Sequence, residues 1–235
     1  MKVFIHGTDF HGSLPHPDRF PKGADFLVLT GDMAPHNVRG NFELLKNGFR
    51  IINREGEASY QSRWVEKQLK PWAEVLEPSH VIYVPGNHDF FDPTLHFEHT
   101  IAVGSKAFEL EGVKFGIATG IPRIIGEWND EVSEYDFNNR LMDLPKDTQM
   151  LLTHAGPYGM LDSYGDGHYG FQCYSQAIFG LRMANLEPHF TSLRAAMFGH
   201  VHKSVLNDLR TEMIENREVI FSNAFGDTRL IQINL

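Results

Sequence analysis

The sequence predicts an α/β fold, and three observations carry that prediction. Short continuous apolar runs recur along the 235 residues, each closed by a loop containing glycine, aspartate or histidine. Stretches with three-to-four apolar spacing lie between them, so strand and helix signals alternate. The composition, 42 % hydrophobic and 22 % charged, is that of an ordinary globular chain and excludes disordered and fibrous classes. Uninterrupted apolar runs suit strands covered on both faces, because neither row of side chains then meets water.

Taken in order, Lys2 to His6 reads as the first strand and ends in Gly7-Thr8-Asp9-Phe10-His11-Gly12. Phe26 to Leu29 ends in Thr30-Gly31-Asp32, and Val81 to Val84 ends in Pro85-Gly86-Asn87-His88-Asp89. Met150 to Leu152 runs into Thr153-His154-Ala155-Gly156-Pro157, and Ala195 to Phe198 into Gly199-His200-Val201-His202. Residues 33–58 show weak periodicity with Gly40, Gly48 and Gly56 and are expected to form an insertion or flap. Tyr60, Trp64, Val65, Leu69, Trp72, Ala73 and Leu76 predict a helix from about Ser59 to Leu76, which Pro71 divides or kinks, with Trp64 and Trp72 facing the core.

Residues 107–118 read as a hairpin turning at Glu111-Gly112. Residues 156–173 mix glycine with Tyr158, Tyr164, Tyr169 and Phe171, a long loop expected to be functional or mobile. A second helix is expected from about Ser175 to Leu186, with Ile178, Leu181 and Leu186 on one side and Pro188 beyond its end. Val219 to Ser222 and Arg229 to Ile233 read as closing strands. No repeat or linker divides the chain, so one domain over 1–235 is expected.

Thirty acidic residues against 21 basic give a formal charge of −9, which argues against a broad nucleic-acid groove. No apolar run reaches the ~18 residues a membrane helix needs. The opening Met1 to His6 is too short and too soon interrupted for a signal peptide. Cys173 is the single cysteine, expected to be a buried inert thiol; a disulfide framework and a cysteine zinc site are excluded. A cytoplasmic protein without membrane partners is the expectation. Thirteen histidines beside many aspartates point instead to metals on nitrogen and oxygen ligands.

Ligands of open α/β sheets bind beyond the carboxyl ends of the strands. The five strand ends offer Asp9 and His11, Asp32, Asn87 and His88, His154, and His200 and His202. Residues i and i+2 share one side of an extended segment, so Asp9 with His11, and His200 with His202, are each expected to converge. The flanking glycines allow sharp turns. Asp-x-His alone is a weak signal and Gly-His-x-His a moderate one; Gly-Asn-His-Asp is strong.

With these motifs in this order the chain resembles the calcineurin-like metallophosphoesterase family. The match runs from Asp9 to His202, and the small phosphodiesterase-like branch is nearest: Thr153-His154-Ala155-Gly156-Pro157 and Gly159-Met160-Leu161-Asp162 match its pattern, with Ala155 inserted. The resemblance implies a four-layer αββα sandwich of two mixed sheets flanked by helices. It also implies two divalent ions, one held by Asp9, His11, Asp32 and His202 and the other by Asp32, Asn87, His154 and His200, with Asp32 shared. Mn is the expected ion, with Fe, Zn, Ni or Co as alternatives. The protein Ser/Thr phosphatase branch follows Gly-Asp with a phosphate-gripping arginine run; here Gly31-Asp32 leads into Met33-Ala34-Pro35-His36-Asn37.

The expected reaction is hydrolysis of a small nucleotide-like phosphodiester by a metal-bridging hydroxide. His88 would protonate or stabilise the leaving oxygen, and Asp89 would orient the His88 imidazole. His36, Arg123, Tyr158 and His168 are candidate substrate contacts, each set against a surface or loop-packing role. Tyr158 and Tyr169 are candidates to stack on a base or aryl group. Rival readings are a phosphomonoesterase or protein phosphatase, a nuclease, and a non-catalytic scaffold.

Overall fold

A computed structural model of the chain describes residues 1–37, 42–45, 48–51, 53–97, 104–180, 187–202 and 209–235. Its strands build two mixed sheets. The first joins β1 (Lys2–Gly7), β2 (Phe26–Leu29) and β3 (His80–Tyr83) in parallel. The second contains β4 (Lys106–Leu110), β5 (Val113–Ala118), β6 (Met150–Thr153), β7 (Ala195–Phe198), β8 (Leu209–Ile214) and β9 (Arg217–Asn223). The last strand, β10 (Thr228–Ile233), returns to the first sheet and pairs antiparallel with β1, Lys2 facing Ile233. The strand orders are β10-β1-β2-β3 and β8-β9-β7-β6-β5-β4, with β8 and β4 antiparallel at the edges of the larger sheet.

Side-chain alternation along these strands explains why their sequences are apolar throughout. Phe26 and Val28 of β2 face inward with Phe4 and Ile82, against Phe115, Ile117, Met150, Leu152 and Met197 of the second sheet. Leu27 and Leu29 face outward with Ile5 and Tyr83, against Val65, Leu69, Trp72, Ala73 and Leu76. On the far side, Leu151, Ala196, Phe198 and Phe221 pack against Phe137, Leu141, Tyr174, Ala177 and Ile178. Three apolar interfaces between helix, sheet, sheet and helix are the four-layer sandwich. Each buried Phe or Leu contributes about 1.5–3 kcal/mol relative to exposure.

The helices differ from the sequence reading in instructive ways. The first begins earlier than expected: α1 spans Arg54–Trp64, its start fixed by Asn53, whose side chain accepts from the Gly56 N–H at 2.8 Å. A π turn at Val65–Leu69 joins it to α2, Lys70–Val75, and the Lys70 N–H bonds the Val65 carbonyl across the wide turn. Pro71 has no N–H to donate, and the chain meets this by widening by one residue ahead of it, so the stretch runs as α1, a π turn and α2 and does not break at the proline. Residues 33–58 are therefore not one flap: they hold the start of α1 and a ribbon pairing Phe42–Leu45 with Gly48–Ile51.

A helix not anticipated, α3 at Glu134–Met142, is capped by Ser133, which accepts from the Asp136 N–H at 3.1 Å. The helix expected over 175–186 is α4, Gln172–Phe179, and it stops at Gly180 with φ 71°. Leu181 and Leu186 lie outside the described residues. The hairpin at 107–118 forms as β4 and β5, with Glu111 and Gly112 at φ 51° and 75° in its two-residue turn. Residues 156–173 are an organised segment. Ser163–Tyr164 pairs with Gly167–His168, Pro157 bridges to Phe171, and the buried Asp162 accepts from the Gly159 and Gly170 N–H groups, each at 2.9 Å. Among the described residues no helix is long and apolar enough to cross a membrane.

Candidate metal centre

The tips of β1, β2, β3, β6 and β7 meet at one end of the sandwich. The loop after β1 is laced to the loop after β2: Asp9 N–H bonds the Gly31 carbonyl at 2.9 Å and His11 N–H the Asp32 carbonyl at 3.0 Å. The backbone at Asp9, His11, Asp32 and His200 lies at φ 54°, 44°, 58° and 69°, in the left-handed region that L side chains rarely occupy. Asp9 and His11 therefore converge through consecutive tight turns, and the extended i, i+2 geometry expected from the sequence does not apply. His200 and His202 do not share one position either. His200 Nδ1 lies 3.0 Å from Asn87 Oδ1, whereas His202 Nε2 lies 3.0 Å from His11 Nε2 and 3.4 Å from Asp9 Oδ1.

Two of the flanking glycines serve close approach. A Cβ on Gly86 would stand 2.1 Å from Asp32 Oδ1, and one on Gly199 would stand 1.9 Å from Thr8 Oγ1 and 2.2 Å from Asp9 Oδ2.

Each donor is oriented by a neighbour. Asp32 Oδ1 accepts from the His88 N–H at 2.8 Å, and Asp9 accepts from the His200 N–H at 3.0 Å and from Thr8 Oγ1 at 2.7 Å. His154 Nδ1 donates to the Thr30 carbonyl at 2.6 Å, which turns its Nε2 toward Asn87 Oδ1 at 3.0 Å and Asp32 Oδ2 at 3.4 Å. The result is two adjoining sets of ligand-type atoms, Asp9 with His11 and His202, and Asp9 with Asp32 and His154; His11, His36 and His88 form a third such group.

The electrostatics fit a cation at this place. Burial raises the carboxyls of Asp9 and Asp32, but the surrounding imidazoles, His202 for Asp9 and His154 for Asp32, outweigh it and hold both below the usual range. Burial drives His200 down to about 3, leaving its ring neutral and able to ligate, and His88 to about 4, leaving its ring neutral as well. Burial also pulls His154 down, but Asp32, its hydrogen bond and Asp9 lift it to about 9. Two buried carboxylates aimed at one space need compensating positive charge there, and oxygen and imidazole donors suit a divalent ion.

His88 and Asp89 separate in role. Asp89 does not touch the His88 imidazole, contrary to the sequence expectation. Its Oδ2 accepts from the Asp32 N–H at 2.7 Å, the Gly86 N–H at 2.9 Å and the Tyr83 hydroxyl at 2.8 Å, so it fixes the turn that presents Asn87. Burial, then the Asp32 carboxylate, pushes the Asp89 carboxyl up. The ring of His88 meets His36 through a short Nδ1 to Nε2 contact, and His36 Nδ1 lies 3.3 Å from Glu57 Oε1. His88 Nε2 stands 3.9 Å from Asp32 Oδ2, and Trp128 packs on the ring at a centroid distance of 4.1 Å.

Glu57, Gln61 and Trp128 were not found from sequence. Glu57 and Gln61 are fully buried and four residues apart on α1, and Gln61 holds the His88 carbonyl at 2.8 Å and the Phe90 N–H at 2.7 Å. The i, i+4 spacing of Glu57 and Gln61 is the only trace of the pair in the sequence, and without the structure it reads as a solvated helix face; Trp128 left no trace.

Of the other candidates, His36 joins the centre. Tyr158 and His168 pack on each other at 4.9 Å, and His168 bonds Asp162 at 2.7 Å, so the pair organises its own loop. Arg123 is exposed. Cys173 is buried, and burial and Glu134 push its thiol up, as an inert cysteine requires.

The sequence also matches the family model for calcineurin-like phosphoesterase over residues 3–204. The chain belongs to the calcineurin-like phosphoesterase family. That membership agrees with the four-layer fold and with a centre of histidine and aspartate at the strand tips, and it makes the protein a metal-dependent phosphoesterase. No curated protein matches the chain.

Proposed function

We propose that this calcineurin-like phosphoesterase hydrolyses small phosphodiesters with two Mn ions in a cytoplasmic setting. The observation that carries the reading is the convergence of Asp9, His11, Asp32, Asn87, His154, His200 and His202 from both sheets on one space. Asp9, His11, Asp32 and His202 would hold one ion, and Asp32, Asn87, His154 and His200 the other. Two such ions, when bound, supply an activated water and a clamp on the phosphoryl oxygens.

The chain's own residues do the rest. Asp9 and Asp32 bring the negative charge that retains the cations. His88, neutral beside Asp32 and outside the two ligand sets, is placed to stabilise the charge developing on the leaving oxygen through a ring N–H. Glu57 steadies His36, and His36 with Trp128 fixes the plane of the His88 ring. Diesters are favoured over monoesters because Met33-Ala34-Pro35-His36-Asn37 stands where the protein phosphatase branch has its phosphate-gripping arginine run, and because the segment Gly159-Met160-Leu161-Asp162 resembles the diesterase-like pattern.

Side-by-side turnover of bis-p-nitrophenyl phosphate and p-nitrophenyl phosphate with Mn tests the reading. Faster diester cleavage is expected, and faster monoester cleavage would replace it with a phosphomonoesterase. A panel of cyclic nucleotides, dinucleotides, phosphopeptides and single-stranded DNA narrows the class.

A further inference from the structure

Beside His200 and His202 lies a cleft of about 250 Å³ bounded by Ile124, Tyr164, Tyr169 and Val201. Its walls come from separate segments: Ile124 from the loop leaving the Ile121–Pro122 strand, the two tyrosines from the ribbon of residues 163–168 and its exit, and Val201 from between the two histidines. Ile124, Tyr164 and Tyr169 expose 54 %, 59 % and 51 % of their surfaces. Large apolar side chains left together in water gain free energy only when something covers them.

The wall is preformed. Tyr169 N–H donates to the Asp162 carbonyl at 3.1 Å, and the Tyr169 ring lies against Gly167, where a Cβ would come within 3.1 Å of it. The buried Asp162 carboxylate ties together Gly159, His168 and Gly170 on either side. Little ordering entropy is therefore left to lose when a ligand enters.

We propose that this cleft is a subsite for a planar aromatic group of the phosphoester substrate, with Ile124, Tyr164 and Tyr169 as its specificity-determining residues. The inference rests on the hydrolase reading only for the position of the phosphoryl group. His200 and His202 line both the candidate metal centre and this cleft, so a phosphoryl group held at that centre would have its ester substituent beside the cleft. Among the described residues the lining offers two phenol rings, an isoleucine and a valine beside His200 and His202 but no carboxylate, lysine or arginine, so it rewards a flat apolar ring over a charged peptide. The volume suits one ring system.

The test compares the affinities of phenylphosphonate and methylphosphonate for the Mn-loaded full chain by titration calorimetry. Phenylphosphonate is expected to bind about tenfold more tightly, the worth of covering one ring face. Tyr169→Ala should narrow that ratio toward unity. Ile124→Asn, at an exposed position of the same lining on a separate segment, should narrow it as well and guards against a misfolded tyrosine variant. Equal affinities in the parent protein, or ratios untouched in both variants, would overturn the subsite.

Thymidine 5′-monophosphate against deoxyribose 5-phosphate separates the sources: tighter thymidylate supports a nucleobase, and tightening confined to phenylphosphonate supports an aryl ester. A preserved phenyl preference without turnover of any phosphoester would leave the cleft standing and remove the hydrolase reading.

Discussion

Asp9, His11, Asp32 and His200 hold left-handed backbone at a cost of order 1–3 kcal/mol each, and such strain persists only where neighbours enforce it. Gly199 shows how narrow the margin is. Gly199→Ala would drive a methyl into Thr8 and Asp9, so a loss of about 1–3 kcal/mol in chemical denaturation is expected, together with weaker Mn binding. His88→Ala should lower kcat by about 10²–10⁴-fold while elemental analysis shows the metal retained. Metal lost in step with activity would make His88 a ligand instead. The residues of the strand-end motifs were legible because each follows an apolar run. Glu57 and Trp128 were not, since a glutamate near the start of a helix normally reads as a solvated charge, and nothing in the sequence announces that His36 lies between it and His88.

At the scale of elements, legibility followed the number of apolar faces. The runs Phe26–Leu29 and Ala195–Phe198 are strands over the very residues expected, because each is sandwiched between two apolar layers. The helix Glu134–Met142 escaped notice: only Phe137 and Leu141 of its side chains are buried, too few to show a period. Its start signal was nonetheless present in Ser133 and Asp136. Ser133→Ala should cost about 1 kcal/mol, read as a lowered thermal midpoint. The early start of α1 was hidden because Gly56 looked like loop punctuation, whereas it sits in the first turn, close against Asn53.

Across the whole molecule the two sheets are joined beneath the candidate metal centre by His6. Its Nδ1 lies 2.7 Å from Ser222 Oγ in one sheet, and its Nε2 lies 2.9 Å from Thr30 Oγ1 beyond the end of β2 in the other. Burial takes its imidazole from 6.5 to about 3, so above pH 6.5 it is neutral in both folded and unfolded chains. Below that value the unfolded chain takes up a proton the folded one refuses, and stability falls by about 1.4 kcal/mol per pH unit from this group until pH nears 3. Urea unfolding between pH 8 and 4 should show a shallower decline in His6→Gln than in the parent; parallel declines would exonerate His6. The same assay with Mn at a hundredfold over its Kd should gain about 2.7 kcal/mol, and a chelator should remove it.

The candidate ligands are divided between the sheets: Asp9, His11, Asp32 and Asn87 follow β1 to β3, and His154, His200 and His202 follow β6 and β7. The far end of the sandwich is edged by opposite charges already matched, Lys2 with Asp25 and Lys114 with Asp147, whereas this end gathers two buried carboxylates among imidazoles that a cation would clasp. Stripped of ions, the tips would be left to their cross-sheet hydrogen bonds, His154 to Thr30 and the His200 N–H to Asp9, and would part more readily than the rest of the sandwich. Amide protons at these tips would then trade with deuterium long before those at mid-strand.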